Sequence, residues 1–184
     1  MTPEELRARL LGSFRWYSEH ESRGLADRTG WLRDPELLGE LGGALAGLFD
    51  ESPTVVVGPH ASGYPLGVLV AVHHGVGFVG VEKERRELGD SDRWITATTP
   101  PDYRDRTMTM GFRRSLVSST DRVLVVDDWA DTGGQLSAVR SLVEQAGAHY
   151  IGAAVIADAL RSHATRRALS LRGLVDLRRL RSEG

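Results

Sequence analysis

Asp127 and Asp128 stand together at the end of the run Arg122-Val-Leu-Val-Val, followed by Trp129-Ala130-Asp131-Thr132-Gly133-Gly134-Gln135. An apolar β-branched run, two carboxylates, a turn of small residues and then helical spacing make a strand-turn-helix unit. Ligands of parallel α/β sheets sit at the carboxyl ends of the strands, where the next helix offers unpaired N–H groups and a positive dipole end. Gly133 and Gly134 let the backbone approach an anion without a Cβ in the way, and Thr132 adds a hydroxyl donor, so the turn suits a phosphate monoester. The paired acids suit vicinal hydroxyls, or a hard cation met through its water shell. Together they describe a phosphorylated sugar with free hydroxyls. Asp-Asp or Thr-Gly-Gly alone would read as an ordinary turn.

The elements that must hold this unit in place are legible around it. Thr2-Pro3-Glu4-Glu5 is a capping box, and Leu6, Leu10, Phe14 and Tyr17 at helical spacing predict a helix ending near Ser18. Asp34-Pro35 caps a second amphipathic segment carrying Leu37, Leu38, Leu41, Leu45 and Leu48. Residues 54–58 read as a buried parallel strand, 66–73 as a helix, 77–82 and 122–128 as strands, 134–146 as a helix and 150–157 as a strand. Strands alternating with helices predict an α/β fold with a mostly parallel sheet. Residues 84–120 show alternation only around 106–110, a hairpin arm, and the long charged remainder reads as a functional lid or as disordered.

A length of 184 residues fits one domain, and the absence of cysteine excludes disulfides, thiolate zinc sites and a thiol nucleophile. No apolar run reaches the ~18 residues of a bilayer span, and the first residues lack a basic and apolar leader pattern. A soluble, cytoplasmic protein is the expectation. Arginines 161, 166, 167, 172, 178, 179 and 181 crowd the last quarter of the chain and read as a solvated face. No motif supports nucleic-acid binding.

The 122–135 string resembles the phosphoribosyl-pyrophosphate signature of the type I phosphoribosyltransferases. That resemblance implies ribose and 5-phosphate binding by Asp127, Asp128, Ala130, Asp131, Thr132, Gly133, Gly134 and Gln135, with Mg²⁺ held through water at Asp127 and Asp128. The segment 55–67 is similar to the family's first strand and pyrophosphate loop. It implies diphosphate contacts by His60, Ala61, Ser62 and Gly63, joined by Lys83 at the end of the next strand. Adenine phosphoribosyltransferases typically read Glu-x-Arg-Gly in that loop, so Ser62 stands where they carry arginine. Residues 25–37 are similar to the base-contacting segment of the same enzymes, with Leu25 and Ala26 in place of Phe-Arg.

The resemblance covers about residues 24–157 and implies the type I phosphoribosyltransferase fold across a single domain, 1–184. Residues 1–33 would form an N-terminal helix and hood, 54–157 the core and 84–114 a flexible lid. Asp102 and Tyr103 of the lid match the family's Glu-Tyr and join Asp131 as candidate catalytic residues. Trp129 is a candidate to stack on the acceptor, and equally a cover for core surface. Alanine is general at position 131 in adenine enzymes, whereas the aspartate is similar to hypoxanthine–guanine enzymes, which leaves the base open. The implied reaction is Mg²⁺-dependent transfer of phosphoribose from phosphoribosyl pyrophosphate to a purine nitrogen, in a homodimer. Two alternatives remain: a non-purine acceptor, favoured by Leu25-Ala26, and a non-catalytic sensor of the same ligand, favoured by Ser62.

Overall fold

The computed structural model describes residues 1–17, 25–83, 94–100 and 107–176. The elements run α1 (Pro3–Gly12), β1 (Arg15–Tyr17), β2 (Leu25–Asp27), α2 (Gly30–Arg33), α3 (Pro35–Ala46), β3 (Val55–Pro59), α4 (Gly63–His74) and β4 (Gly77–Val81). They continue through β5 (Trp94–Thr98), β6 (Thr109–Arg113), β7 (Arg122–Ala130), α5 (Gly134–Gln145), β8 (His149–Asp158), α6 (His163–Ala168) and β9 (Leu171–Asp176).

Five strands form one sheet in the order β4-β3-β7-β8-β9, and every pairing in it is parallel. The central strands are apolar on both sides because both faces are covered. One face packs Val123 and Val125 against Leu136, Val139 and Leu142 of α5 and against Met110 and Phe112 of the β5–β6 hairpin. The other packs Val56, Leu124 and Val126 against Leu37, Leu41 and Leu45 of α3, Leu66 and Val70 of α4, and Leu6 and Leu10 of α1. Crossing from β3 to β7 in the middle of the sheet sets the ends of those two strands side by side, which is where the charged residues emerge.

Three local expectations change. The capping box is present, with Thr2 Oγ1 accepting from the Glu5 N–H and Glu5 Oε2 accepting from the Thr2 N–H. The helix nevertheless stops at Gly12, not near Ser18, because Arg15–Tyr17 pair antiparallel with Leu25–Asp27 and Phe14 and Trp16 pack on one another and on Trp129. Helix α4 begins three residues earlier than the periodicity implied, at Gly63. Part of the segment read as an irregular lid is a regular hairpin, β5–β6, fastened to the sheet by paired backbone bonds between Glu82 and Gly111.

The arginine-rich end also differs from a purely solvated face. Strand β9 joins the sheet edge beyond β8, burying Leu171, Leu174 and Val175. Arg172 lies with its guanidinium carbon 4.8 Å from the Phe49 ring centroid and donates to the Leu48 carbonyl. Arg166 grips Asp158 with Nε at 2.6 Å and Nη2 at 3.1 Å, a forked pair of the geometry guanidinium favours.

Candidate active site

The chain leaves β7 through the two acids, and their side chains go to different partners. Asp127 is 4% exposed; its Oδ1 accepts from the Asp128 N–H at 2.9 Å and its Oδ2 from Gln135 Nε2 on α5 at 3.0 Å. Asp128, 8% exposed, turns toward the hood, where its Oδ2 lies 2.9 Å from Arg28 Nη1. Burial, with the neighbouring Asp128 charge second, pushes the Asp127 carboxyl well above the usual carboxylate range. A buried carboxyl beside an ion-paired carboxylate is an arrangement whose ionisation a cation or a set of hydroxyl donors favours.

Beyond Ala130 the turn 131–133 brings the chain into α5. Gly133 is left-handed at φ +80°, and a Cβ on it would lie 2.8 Å from Thr165 Cγ2, so both backbone and packing demand glycine there. No side chain caps the helix from position 133, while Thr132 Oγ1 accepts from the Gly134 N–H at 3.3 Å. The first turn of α5 thus points backbone donors at the cavity in front of it. Helix α6 supports this turn from behind, and Arg166 ties α6 to the strand end at Asp158. Arg166→Met is expected to cost about 1–3 kcal/mol by leaving the half-buried Asp158 unpaired, read as a lower melting temperature that is largely restored in Arg166→Met/Asp158→Asn.

The second cradle follows β3. Gly58 and Gly63 press backbone on backbone, since a Cβ on Gly58 would lie 2.3 Å from the Gly63 carbonyl oxygen. That contact folds residues 60–62 back over the strand ends, and the His60 N–H donates to the Val81 carbonyl at 3.0 Å. Tyr64 donates its hydroxyl to Glu82 Oε1 at 2.8 Å, and burial together with that acceptor raises its pKa, keeping the phenol a donor. This bond fixes α4 against the end of β4, next to Lys83.

A cavity of about 270 Å³ is lined by His60, Ala61, Ser62, Lys83, Arg28 and every residue from Asp127 to Leu136. It brings together the residues assigned from sequence to the ribose, the 5-phosphate and the diphosphate, except Gly63, which is spent on backbone packing. Beside it opens a more apolar cavity of about 560 Å³ lined by Ala26, Asp27, Arg28, Thr29, Trp31, Leu32, Ser62, Leu66, Asp128 and Ile156. Ala26, assigned from sequence to the base, lines this cavity, and Leu25 is the first residue of β2. Asp131 and Thr132 are exposed at the mouth of the smaller cavity. Asp102 and Tyr103 lie outside the described residues.

Trp129 lines the smaller cavity and also packs into an aromatic cluster. Its ring lies parallel to Phe14 at 6.0 Å and edge-on to Trp16 at 6.1 Å, and it is absent from the lining of the larger cavity. Phe14 in turn stacks on Trp31, whose Nε1 donates to the Leu10 carbonyl at 2.9 Å. This aromatic cluster glues the hood to the strand carrying the acids. Sequence reasoning assigned nothing to Arg28, Trp31 or Ile156. The available signal for Arg28 was its place two residues beyond Ala26, at the end of a hood strand.

Comparison with known proteins agrees with this geometry. The phosphoribosyl transferase domain family matches residues 32–176. An adenine phosphoribosyltransferase of Clostridium perfringens is 34% identical over 148 residues, 79% of this chain and 83% of that one. A xanthine phosphoribosyltransferase of Brevibacillus brevis is 31% identical over 126 residues, 68% of this chain and 64% of that one. The crystal structure of adenine phosphoribosyltransferase from Rhodothermus marinus superposes with a TM-score of 0.79 at 28% identity, covering 96% of this chain and all of that one. The matched domain, the parallel sheet with its hood and the two cradles meeting at one cavity place this chain in the phosphoribosyltransferase family, with the type I fold.

Proposed function

We propose that the protein transfers phosphoribose from phosphoribosyl pyrophosphate to a purine base, with adenine the leading acceptor. One observation carries this reading: the acids at the end of β7, the N-terminal turn of α5, the 60–62 loop and Lys83 line a single cavity that opens beside an apolar one. The similarity to adenine phosphoribosyltransferases over four-fifths of the chain supports the choice of base.

Attack of a purine nitrogen on C1 of the ribose builds cationic character in the sugar and negative charge on the leaving diphosphate. The protein orients the partners and stabilises those charges. Backbone N–H groups of 131–135 hold the 5-phosphate, Asp128 and Asp127 accept from the ribose hydroxyls, and the 61–62 amides and Lys83 receive the diphosphate. Hard carboxylate oxygens suit Mg²⁺, and Asp127 and Asp128 would hold it through water. Held there, the cation would supply neutralisation of the leaving group.

A second reading, a 6-oxopurine acceptor, is favoured by Asp131 at the cavity mouth, where it could exchange a proton with a ring nitrogen. Diphosphate release measured with adenine, hypoxanthine, guanine and xanthine in turn separates the two. Base-dependent release with adenine well above the others is expected, while no release with any base would sink phosphoribosyl transfer. We further infer a single domain that works as a homodimer in the cytoplasm. Val68 and Val72, one turn apart and 44% and 74% exposed on α4, support a covered surface, and no helix among the described residues is long and apolar enough to cross a membrane.

A further inference from the structure

Arg28 lies on the hood, yet it lines both cavities. Two contacts fix it: Nη1 lies 2.9 Å from Asp128 Oδ2, and the guanidinium carbon sits 5.8 Å from the Trp129 ring centroid. A carboxylate on one edge and an indole beside it orient a planar cation. Guanidinium carries five N–H donors in a fixed fork, so one bond to Asp128 leaves donors for a ligand.

The charge balance of the smaller cavity gives those donors a task. Asp127, Asp128 and Asp131 line it, and among the described residues the lysines and arginines that do so are Lys83 and Arg28. The loop that cradles the diphosphate contributes His60, Ala61 and Ser62, with no arginine or lysine among them. Ser62 lines the same two cavities as Arg28, which puts the hood arginine and the uncharged loop position around one space. A leaving group that gains negative charge needs cations within that space, and a forked donor suits phosphate oxygens better than a point charge does.

Resting on the phosphoribosyl-transfer reading above, we infer that Arg28 is a diphosphate-binding residue of this protein, supplied by the hood in place of a charged loop, with Asp128 and Trp129 as its positioning residues. The same carboxylate then serves the ribose with one oxygen and holds the diphosphate cation with the other. Binding of the leaving group thereby ties the hood to the sugar site.

Calorimetry with Mg²⁺-diphosphate and with Mg²⁺-phosphoribosyl pyrophosphate tests this on the full chain, comparing the wild type with Arg28→Gln, Arg28→Lys and Arg28→Gln/Ser62→Arg, with thermal melts to verify folding. Arg28→Gln should weaken both ligands by about tenfold or more and leave the KM for the base within about threefold, with Arg28→Lys in between. Placing arginine at position 62 should recover most of the diphosphate affinity. Diphosphate affinity within about twofold of wild type in Arg28→Gln overturns the inference. A changed base KM with unchanged diphosphate binding also overturns it and moves Arg28 to the acceptor cavity. A double variant no tighter than Arg28→Gln overturns the shared position with Ser62. A wild-type protein that binds neither ligand overturns the phosphoribosyl-transfer reading, and the inference falls with it.

Discussion

Replacing both Asp127 and Asp128 with asparagine is expected to weaken phosphoribosyl-pyrophosphate binding by at least about tenfold, because the ion-paired Asp128 loses the charge that strengthens a hydroxyl hydrogen bond, about 1.5–3 kcal/mol. Asp127→Asn alone should not weaken the fold. Asp127 is nearly inaccessible, and burial followed by the Asp128 charge raises its pKa. The folded state therefore keeps a proton that the unfolded chain releases near pH 4, and stability falls as pH rises from there toward the raised folded value. Asparagine cannot ionise. Its oxygen can still accept the Asp128 N–H, and the Gln135 amide can rotate to accept from its nitrogen. Asp127→Asn alone should raise stability at pH 7.5 by about 1–2 kcal/mol and flatten its pH dependence above pH 5. Melting curves across pH and calorimetry check both halves. Unchanged ligand binding in the double variant would remove the acids from the sugar site, and a lower melting temperature for Asp127→Asn at pH 7.5 would show that its charge is already compensated.

The adjacent glycines of the turn should separate folding from binding. Gly133→Ala places a side chain at φ +80° and a Cβ 2.8 Å from Thr165 Cγ2. The expected loss is about 2–3 kcal/mol, together with at least tenfold weaker ligand binding as the turn shifts. Gly134→Ala differs. Its Cβ would meet nothing nearer than 3.6 Å, and alanine is the better helix former, so stability should hold or rise slightly. The methyl would nonetheless stand beside the N–H groups assigned to the 5-phosphate, and ligand affinity should drop about tenfold or more. A Gly134→Ala protein that is stable and binds normally would place the phosphate elsewhere.

The sequence by itself determined the strand-turn-helix carrying Asp127 to Gln135, the loop after β3, the alternation of strands and helices, and the family likeness that these segments carry. These are local properties: β-branched runs, glycine turns and capping residues act through neighbours in the chain, and the chemistry of the two cradles is mainly backbone chemistry. Tertiary structure decided what depends on meeting across the chain. Arg28 reaches Asp128 from a hundred residues away, and nothing in its neighbourhood announces that pairing. Phe14 and Trp16 close over Trp129 from the hood, a partnership that no local pattern specifies, because an aromatic ring follows the partners that bury its surface. The end of α1 at Gly12 and the edge strand β9 were decided the same way, since a short strand exists only where another strand offers its hydrogen bonds.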